Sequence, residues 1–211
     1  MFDNKPRVTE KENRDYYLKV ESYDWVKATD EILGLESFFH RARQKLILSA
    51  ISKYKRKGKF LDAGCGTGLI LRHLPEGSFG VDINPRNIPK AKLHADRAEV
   101  IKADLTKLPF ADSTFFNVIL TDVLEHFIYP EKPLKELNRV LKKGGILIGT
   151  VPGRSPLWKL RFLSSTRPRE PYHRYYRRAD LARILKDQGF KVKFLSHKIF
   201  AMEILYVIQK L

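Results

Sequence analysis

The chain has 211 residues, 43% of them apolar and 30% charged, and a net charge of +16. This composition fits one well-packed globular domain with room for an extension and excludes a disordered chain. No apolar run approaches the ~18–20 residues of a membrane span, the first ten residues lack a signal peptide's basic-then-apolar order, and the single cysteine excludes disulfides and thiolate-rich zinc sites, so a cytoplasmic location is expected.

Residues 1–35 show weak periodicity but carry Tyr16, Tyr17, Tyr23 and Trp25. Short helices or a flap are expected there, forming an N-terminal lid ahead of a domain over 36–211. Residues 36–55 space Phe39, Ala42, Leu46, Ile47, Ala50 and Ile51 three and four apart, which predicts a helix. Lysines around Gly58 end it. Strands and helices then alternate: a strand over 59–63, a helix over 69–74, a strand over 78–83 and a helix opened by Asn84-Pro85. Strands over 99–103 and 115–121 follow, then an amphipathic helix over 133–141, stopped by Lys142-Lys143-Gly144-Gly145, and a strand over 146–151. An irregular stretch over 153–178 interrupts the pattern. A helix over 178–187, closed by Gly189, and strands over 190–195 and 201–208 complete the chain.

Such alternation predicts an α/β fold: a Rossmann-like, seven-stranded, mostly parallel sheet with helices on both faces and ligands at the carboxyl ends of its strands. The last two strands are joined by only a few residues and must form an antiparallel hairpin, because a parallel crossover needs about a dozen.

Charge is unevenly spread. Residues 1–35 carry a balance of −2, leaving +18 for the rest, and 153–178 is the densest basic block. A patch of that kind attracts anions such as phosphorylated substrates, RNA or an acidic membrane surface.

Residues 61–68 leave a buried strand and enter a helix with glycine at 64, 66 and 68. Glycine at alternate positions lets the backbone turn sharply and approach a ligand with no Cβ in the way. The spacing is G-x-G-x-G, neither the dinucleotide G-x-G-x-x-G nor the phosphate-binding G-x-x-x-x-G-K-[ST]. Asp82 ends the next strand, where a carboxylate can accept hydrogen bonds from both hydroxyls of a ribose.

These residues resemble the class I S-adenosylmethionine-dependent methyltransferase family, in its branch of small single-domain enzymes similar to the ubiquinone-pathway O-methyltransferases. FLDAGCGTG (60–68) is similar to the first motif and Phe79-Gly80-Val81-Asp82 to the second. Lys102-Ala103-Asp104-Leu105 with Leu108-Pro109-Phe110 resembles the adenine segment, and Asp122-Val123-Leu124-Glu125-His126 the turn after strand four. LKELNRVLKKGG (134–145) resembles the helix and turn before strand five, and His173, Leu181 and Gly189-Phe190 the C-terminal pattern. The resemblance implies S-adenosylmethionine as the methyl donor. Asp62 and the backbone of Gly64, Cys65, Gly66 and Gly68 would hold its methionine portion, and Asp82, with Ile83 beside it, the ribose. Asp104 and the Leu105 amide would read the adenine, Thr121 would line the sulfonium side, and Arg43 would meet the cofactor carboxylate. Asn117 departs from the family's usual Asp, with a structural effect expected.

Methyl transfer from a sulfonium is an in-line displacement in which alignment does much of the catalysis. A base is needed only where the nucleophile must lose a proton. Asp122, Glu125 and His126 are spaced i, i+3 and i+4, so in a helical segment all three project to one side. His126 is the candidate base, because imidazole titrates near neutral pH. In the ubiquinone-pathway relatives an acid, acid and histidine here are associated with a divalent metal. Packing of the turn is preferred over a metal site in this chain.

Over 153–178, the acceptor side of the pocket by resemblance, Trp158, Phe162, Tyr172, His173, Tyr175 and Tyr176 lie among arginines. Trp158, Tyr172, His173 and Tyr176 are the candidate acceptor contacts. Such aromatics can stack bases, lie on an anionic membrane beside a lipid substrate, close around a small molecule, or simply pack onto the core. The expected activity is methylation of an oxygen or nitrogen on a small or lipid-like acceptor. The alternative is an RNA (tRNA)-directed methyltransferase using the basic stretch.

Overall fold

The computed structural model describes residues 5–31, 35–158 and 170–211, with the backbone alone at 35 and 36. Helix α1 (Glu10–Lys19) opens with a capping box. The Thr9 hydroxyl accepts from the Glu12 N–H at 3.2 Å, and the Glu12 carboxylate accepts from the Thr9 N–H at 2.7 Å. Asp24 caps α2 (Trp25–Asp30) by accepting from the Val26 and Lys27 N–H groups. Helix α3 (Leu35–Tyr54) leads into the sheet.

Seven strands form that sheet: β1 (Phe60–Ala63), β2 (Phe79–Asp82), β3 (Glu99–Lys102), β4 (Phe115–Thr121), β5 (Leu141–Pro152), β6 (Phe190–Lys198) and β7 (Glu203–Lys210). Their order is β3-β2-β1-β4-β5-β7-β6. Strands β1 to β5 pair in parallel, and β7 runs antiparallel to both β5 and β6. Helices α4 (Asn87–His94), α5 (Glu131–Val140) and α6 (Arg178–Asp187) cover the faces. Successive residues of a strand point to opposite faces. In β4, Val118 and Leu120 therefore enter one core with Leu134, Leu137, Leu181 and Leu185, while Ile119 enters the other with Ile47, Ile51 and Ala91. Strand order reverses between β1 and β4, the place where open α/β sheets form a ligand crevice.

The seven-stranded sheet and its terminal hairpin match expectation; α4 begins at Asn87 rather than at Asn84-Pro85, β6 runs on to Lys198, and three further local details differ. The helix expected over 69–74 is a single 3-10 turn, Leu71–His73, because Pro75 cannot continue a helix. Lys142-Lys143-Gly144-Gly145 does not separate helix from strand. Strand β5 begins at Leu141, opposite Phe115, and the register shifts before Ile146 meets Asn117, so these residues form an irregularity inside the strand. Strand β7 starts at Glu203 rather than 201, because Ile199, Phe200 and Ala201 turn the chain in left-handed conformations.

Asn117, buried in β4, accepts from the Arg56 N–H at 2.6 Å and donates to the Arg56 carbonyl at 2.8 Å. A carboxylate can accept but not donate, so the amide, unlike the family's usual Asp, ties both backbone groups of Arg56, two residues beyond α3, to the sheet. Among the described residues no helix is long and apolar enough to cross a membrane.

Candidate functional site

A cavity of about 1520 Å³ opens at the carboxyl ends of the parallel strands. Sites for drug-sized ligands run roughly 300–1,000 Å³, so a donor and an acceptor fit together. Its floor is the turn after β1. The Gly64 and Cys65 N–H groups both donate to the Val81 carbonyl, at 2.8 and 2.9 Å, which bends the chain sharply off the strand. Gly64 has φ +79°, and a Cβ there would meet Val123 Cγ2 at 2.5 Å. Only glycine satisfies both constraints. Gly66 donates its N–H to Asp82 Oδ2 at 2.9 Å, joining the turn to the end of β2. Gly68 is not on the cavity wall, because its Cα faces the backbone of Ala91. Cys65 lines the cavity, and burial pushes its thiol well above the usual range, which keeps it unreactive.

Asp82 also accepts from the Asn84 N–H at 2.8 Å and the Asn87 amide at 3.1 Å. Burial nevertheless raises its pKa. Burial, then the neighbouring Asp82, pushes the Asp62 carboxyl up to about 7, and its Oδ2 has no hydrogen-bond partner among the described residues. Ile83, Asp104, Leu105 and Thr121 line the same cavity. Asp104 is fully engaged: Oδ1 accepts from the Thr106 N–H and hydroxyl at 2.9 and 2.7 Å, and Oδ2 pairs with Arg14 at 2.6 Å. Burial alone would raise its pKa, but these contacts hold the carboxyl below the usual range.

Asp122, Glu125 and His126 all line the cavity, yet they do not form one helical face. Asp122 is left-handed at φ 53°, and only a 3-10 turn, Leu124–His126, follows. Each side chain consequently has different partners. Asp122 is ion-paired with Arg43 of α3 and accepts from the Thr150 hydroxyl at 2.9 Å. Glu125 is buried, and desolvation, then Asp122, raises its carboxyl well above the usual range. His126 Nδ1 lies 2.8 Å from the Tyr17 hydroxyl, and its ring packs against His173. Among the described residues no three His, Cys, Asp or Glu side chains are gathered to hold a metal ion.

The segment before α3 forms part of the cavity wall. Tyr16, Tyr17, Tyr23 and Trp25 line it. Asn13 donates to the His126 carbonyl at 2.7 Å, the Trp25 N–H donates to the Thr67 hydroxyl at 3.1 Å, and Asn84 donates to the Val20 carbonyl at 2.9 Å.

Of the four aromatic residues expected at the acceptor, Trp158 and His173 line the cavity and Tyr172 and Tyr176 do not. Both tyrosines are buried: Tyr176 donates to the Leu124 carbonyl at 3.2 Å, and Tyr172 accepts from Arg174 at 2.9 Å. Tyr176 belongs to the core and ties its segment to the 3-10 turn Leu124–His126. Phe162, with the basic residues Lys159, Arg161, Arg167 and Arg169, lies outside the described residues. Four cavity acids were missed from sequence: Glu10 and Glu21 of the N-terminal segment, Glu170 and Glu203. Glu203 opens β7, and Glu170 lies 3.9 Å from His126 Nδ1 and 3.8 Å from His173 Nε2. The available signal for Glu203 was an isolated acid in the otherwise apolar run over 199–208.

Comparisons with known proteins agree with this geometry. Residues 61–149 match the profile of the methyltransferase domain family. An uncharacterised protein of Methanocaldococcus jannaschii is 32% identical over 161 residues, covering 72% of this chain and 74% of that one. A ubiquinone biosynthesis O-methyltransferase of Cereibacter sphaeroides is 34% identical over 105 residues, 46% of this chain and 42% of the relative. The chain thus spans less than half of that enzyme's length. Among solved structures, magnesium protoporphyrin IX methyltransferase of Synechocystis superposes with a TM-score of 0.74 at 18% identity, covering 96% of this chain and 100% of that one. The chain belongs to the class I S-adenosylmethionine-dependent methyltransferases.

Proposed function

We propose that the protein transfers a methyl group from S-adenosylmethionine to an oxygen or nitrogen of a small or lipid-like acceptor. One observation carries the reading: the 64–66 turn and Asp82, which suit the donor, share a single cavity with His126, which suits proton removal. The residues fit the cofactor on two counts. A Cβ at Gly66 would stand between the turn and Trp25, both on the cavity wall, and a buried Asp62 oxygen lacks a partner among the described residues where the cofactor's ammonium group would supply N–H donors.

When bound, S-adenosylmethionine supplies a methyl carbon activated by its sulfonium. Asp62 and the 64–66 backbone would hold the methionine portion, and Asp82 the ribose hydroxyls. Asp104 and Leu105 would border the adenine, with Arg14 and Thr106 fixing the carboxylate that faces it. Arg43, already paired with Asp122, would contribute positive charge to the methionine end. His126 would remove the acceptor's proton. For its Nε2 to accept, Nδ1 must carry the hydrogen and donate it to the Tyr17 oxygen. Burial, then Glu170, drives the Tyr17 pKa far up, so the phenol stays neutral in that role. Tyr17 and Asn13 reach His126 from α1, so the same helix that covers the cavity orients the base.

Calorimetry with S-adenosylhomocysteine tests the donor site. Wild type is expected to bind, and Asp82→Ala to lose affinity by roughly 10- to 100-fold, the worth of hydrogen bonds to a charged group. Unchanged affinity in the variant would overturn the assignment of Asp82 to the ribose.

A further inference from the structure

The carboxyl end of β4 and the start of β7 bring three carboxylates together in the cavity wall: Asp122, Glu125 and Glu203. Only Asp122 is fully satisfied, by the Arg43 guanidinium and the Thr150 hydroxyl. Glu203 pairs across the sheet with Pro152 and is 1% exposed, and its Oε1 lies 4.0 Å from Arg43. Its Oε2 has no hydrogen-bond partner among the described residues, and neither has Oε2 of Glu125, which is 3% exposed. A buried polar atom left without a partner costs about 1–3 kcal/mol, and native interiors hold few of them. Both belong to residues that line the cavity, so a ligand that brings donors to this wall would complete their hydrogen bonding.

The chemistry of that ligand follows from what the wall lacks. Three carboxylates share one guanidinium. This is a local reversal of sign in a chain of net charge +16. A hydroxyl group brings one donor and no charge. A carboxylate or phosphate brings charge of the wrong sign. An ammonium group brings several N–H donors, and its positive charge lets buried carboxylates ionise. The adjoining wall is apolar, with Phe39, Trp158, Phe200 and Met202.

We propose that Glu125 and Glu203 form the recognition site for the methyl acceptor, and that the acceptor is an amine with an apolar body, bound as its ammonium ion and yielding one N–H proton to His126 before the freed lone pair attacks the methyl carbon. The proposal rests on the methyltransferase reading and names the substrate class of that same site. Arg43 and Asp122 act as the frame, holding Glu203 at the cavity wall. Asp62 and Asp82 belong to the donor end and are not part of the acceptor site.

Three probes of one shape and different charge test it: 2-phenylethylamine, 2-phenylethanol and phenylacetate. Each is titrated calorimetrically, with a chelator present, into protein saturated with S-adenosylhomocysteine. The amine is expected to bind roughly tenfold or more tighter than the alcohol, as charge-assisted hydrogen bonds imply, and phenylacetate weakest. Glu203→Gln should erase the amine's advantage while keeping S-adenosylhomocysteine affinity. Glu125→Gln should do the same, and serves if the first variant does not fold. Equal binding of amine and alcohol, a preference for phenylacetate, no binding of any probe, or an amine preference that survives both substitutions overturns the proposal. Failure of S-adenosylhomocysteine to bind wild type would instead sink the methyltransferase reading, so the two failures are distinguishable.

Discussion

Asp62 sits at the junction of fold and function. Its backbone belongs to β1, its side chain is buried beside Asp82, and its carboxyl is pushed up to about 7. In the unfolded chain the same group titrates near pH ~4. Between those values the folded protein holds a proton that the unfolded chain has released, so stability is greatest on the acid side and falls as pH rises toward 7. Burial shifts Asp82, Glu125 and Glu203 in the same direction, which adds to the decline. Asp62→Asn is expected to flatten part of this slope, read as urea midpoints at pH values on either side of the window. Parallel slopes in variant and wild type would show that Asp62 is not desolvated as described. Single residues differ widely in how far the sequence betrays them. Asp62 and Asp82 announce themselves through position, because an acid at the end of a buried strand beside a glycine turn has little structural reason to be there. Glu203 does not, since one acid at the start of an apolar strand reads as a surface position until β7 is seen wedged between β5 and β6.

Elements were more legible than residues where their periodicity was set by the core. Strand β4 and helix α6 have the bounds the pattern implies, because the regular spacing of their apolar side chains is set by the core they enter. Strand β5 was misjudged at its start, since two glycines after two lysines look like a turn, yet pairing with Phe115 keeps that backbone in the sheet. Helices α1 and α2 gave the weakest signal. Little of their surface joins either core, and polar contacts to the cavity rim hold them instead. Segments held by few apolar contacts open locally at low cost. Their amides are expected to exchange with deuterium much faster than those of β1 and β4. Adding S-adenosylhomocysteine should slow exchange over 10–30 while leaving β6 unchanged, because the ligand would sit beneath Tyr16, Tyr17, Tyr23 and Trp25. Equal protection of 10–30 with and without ligand would mean that these helices are part of the frame rather than a cover.

The whole molecule joins two regions of opposite charge, and this predicts opposite responses to salt. Residues 1–35 carry a balance of −2 and the remainder +18. The contacts between them include Glu10 with Lys132 at 2.6 Å, Asp30 with Arg72 at 2.7 Å and Arg14 with Asp104 at 2.6 Å. All three pairs are partly exposed, so salt screens them. Added salt also screens the self-repulsion of the strongly cationic body, which works against its compact state. The screening length shortens from roughly 10 Å at 0.1 M to roughly 3 Å at 1 M ionic strength. Across that range the melting temperature of the sheet is expected to rise while hydrogen-exchange protection over 10–30 falls. Hydrophobic burial strengthens in some salts and would raise both together, so sodium chloride is the appropriate choice over sulfate. A parallel rise in both readouts would mean that apolar packing, not charge, holds α1 and α2 over the cavity. Opposite movement would show that the cover's charge is tuned against the body beneath it, leaving access to the site sensitive to ionic strength while the sheet stays folded.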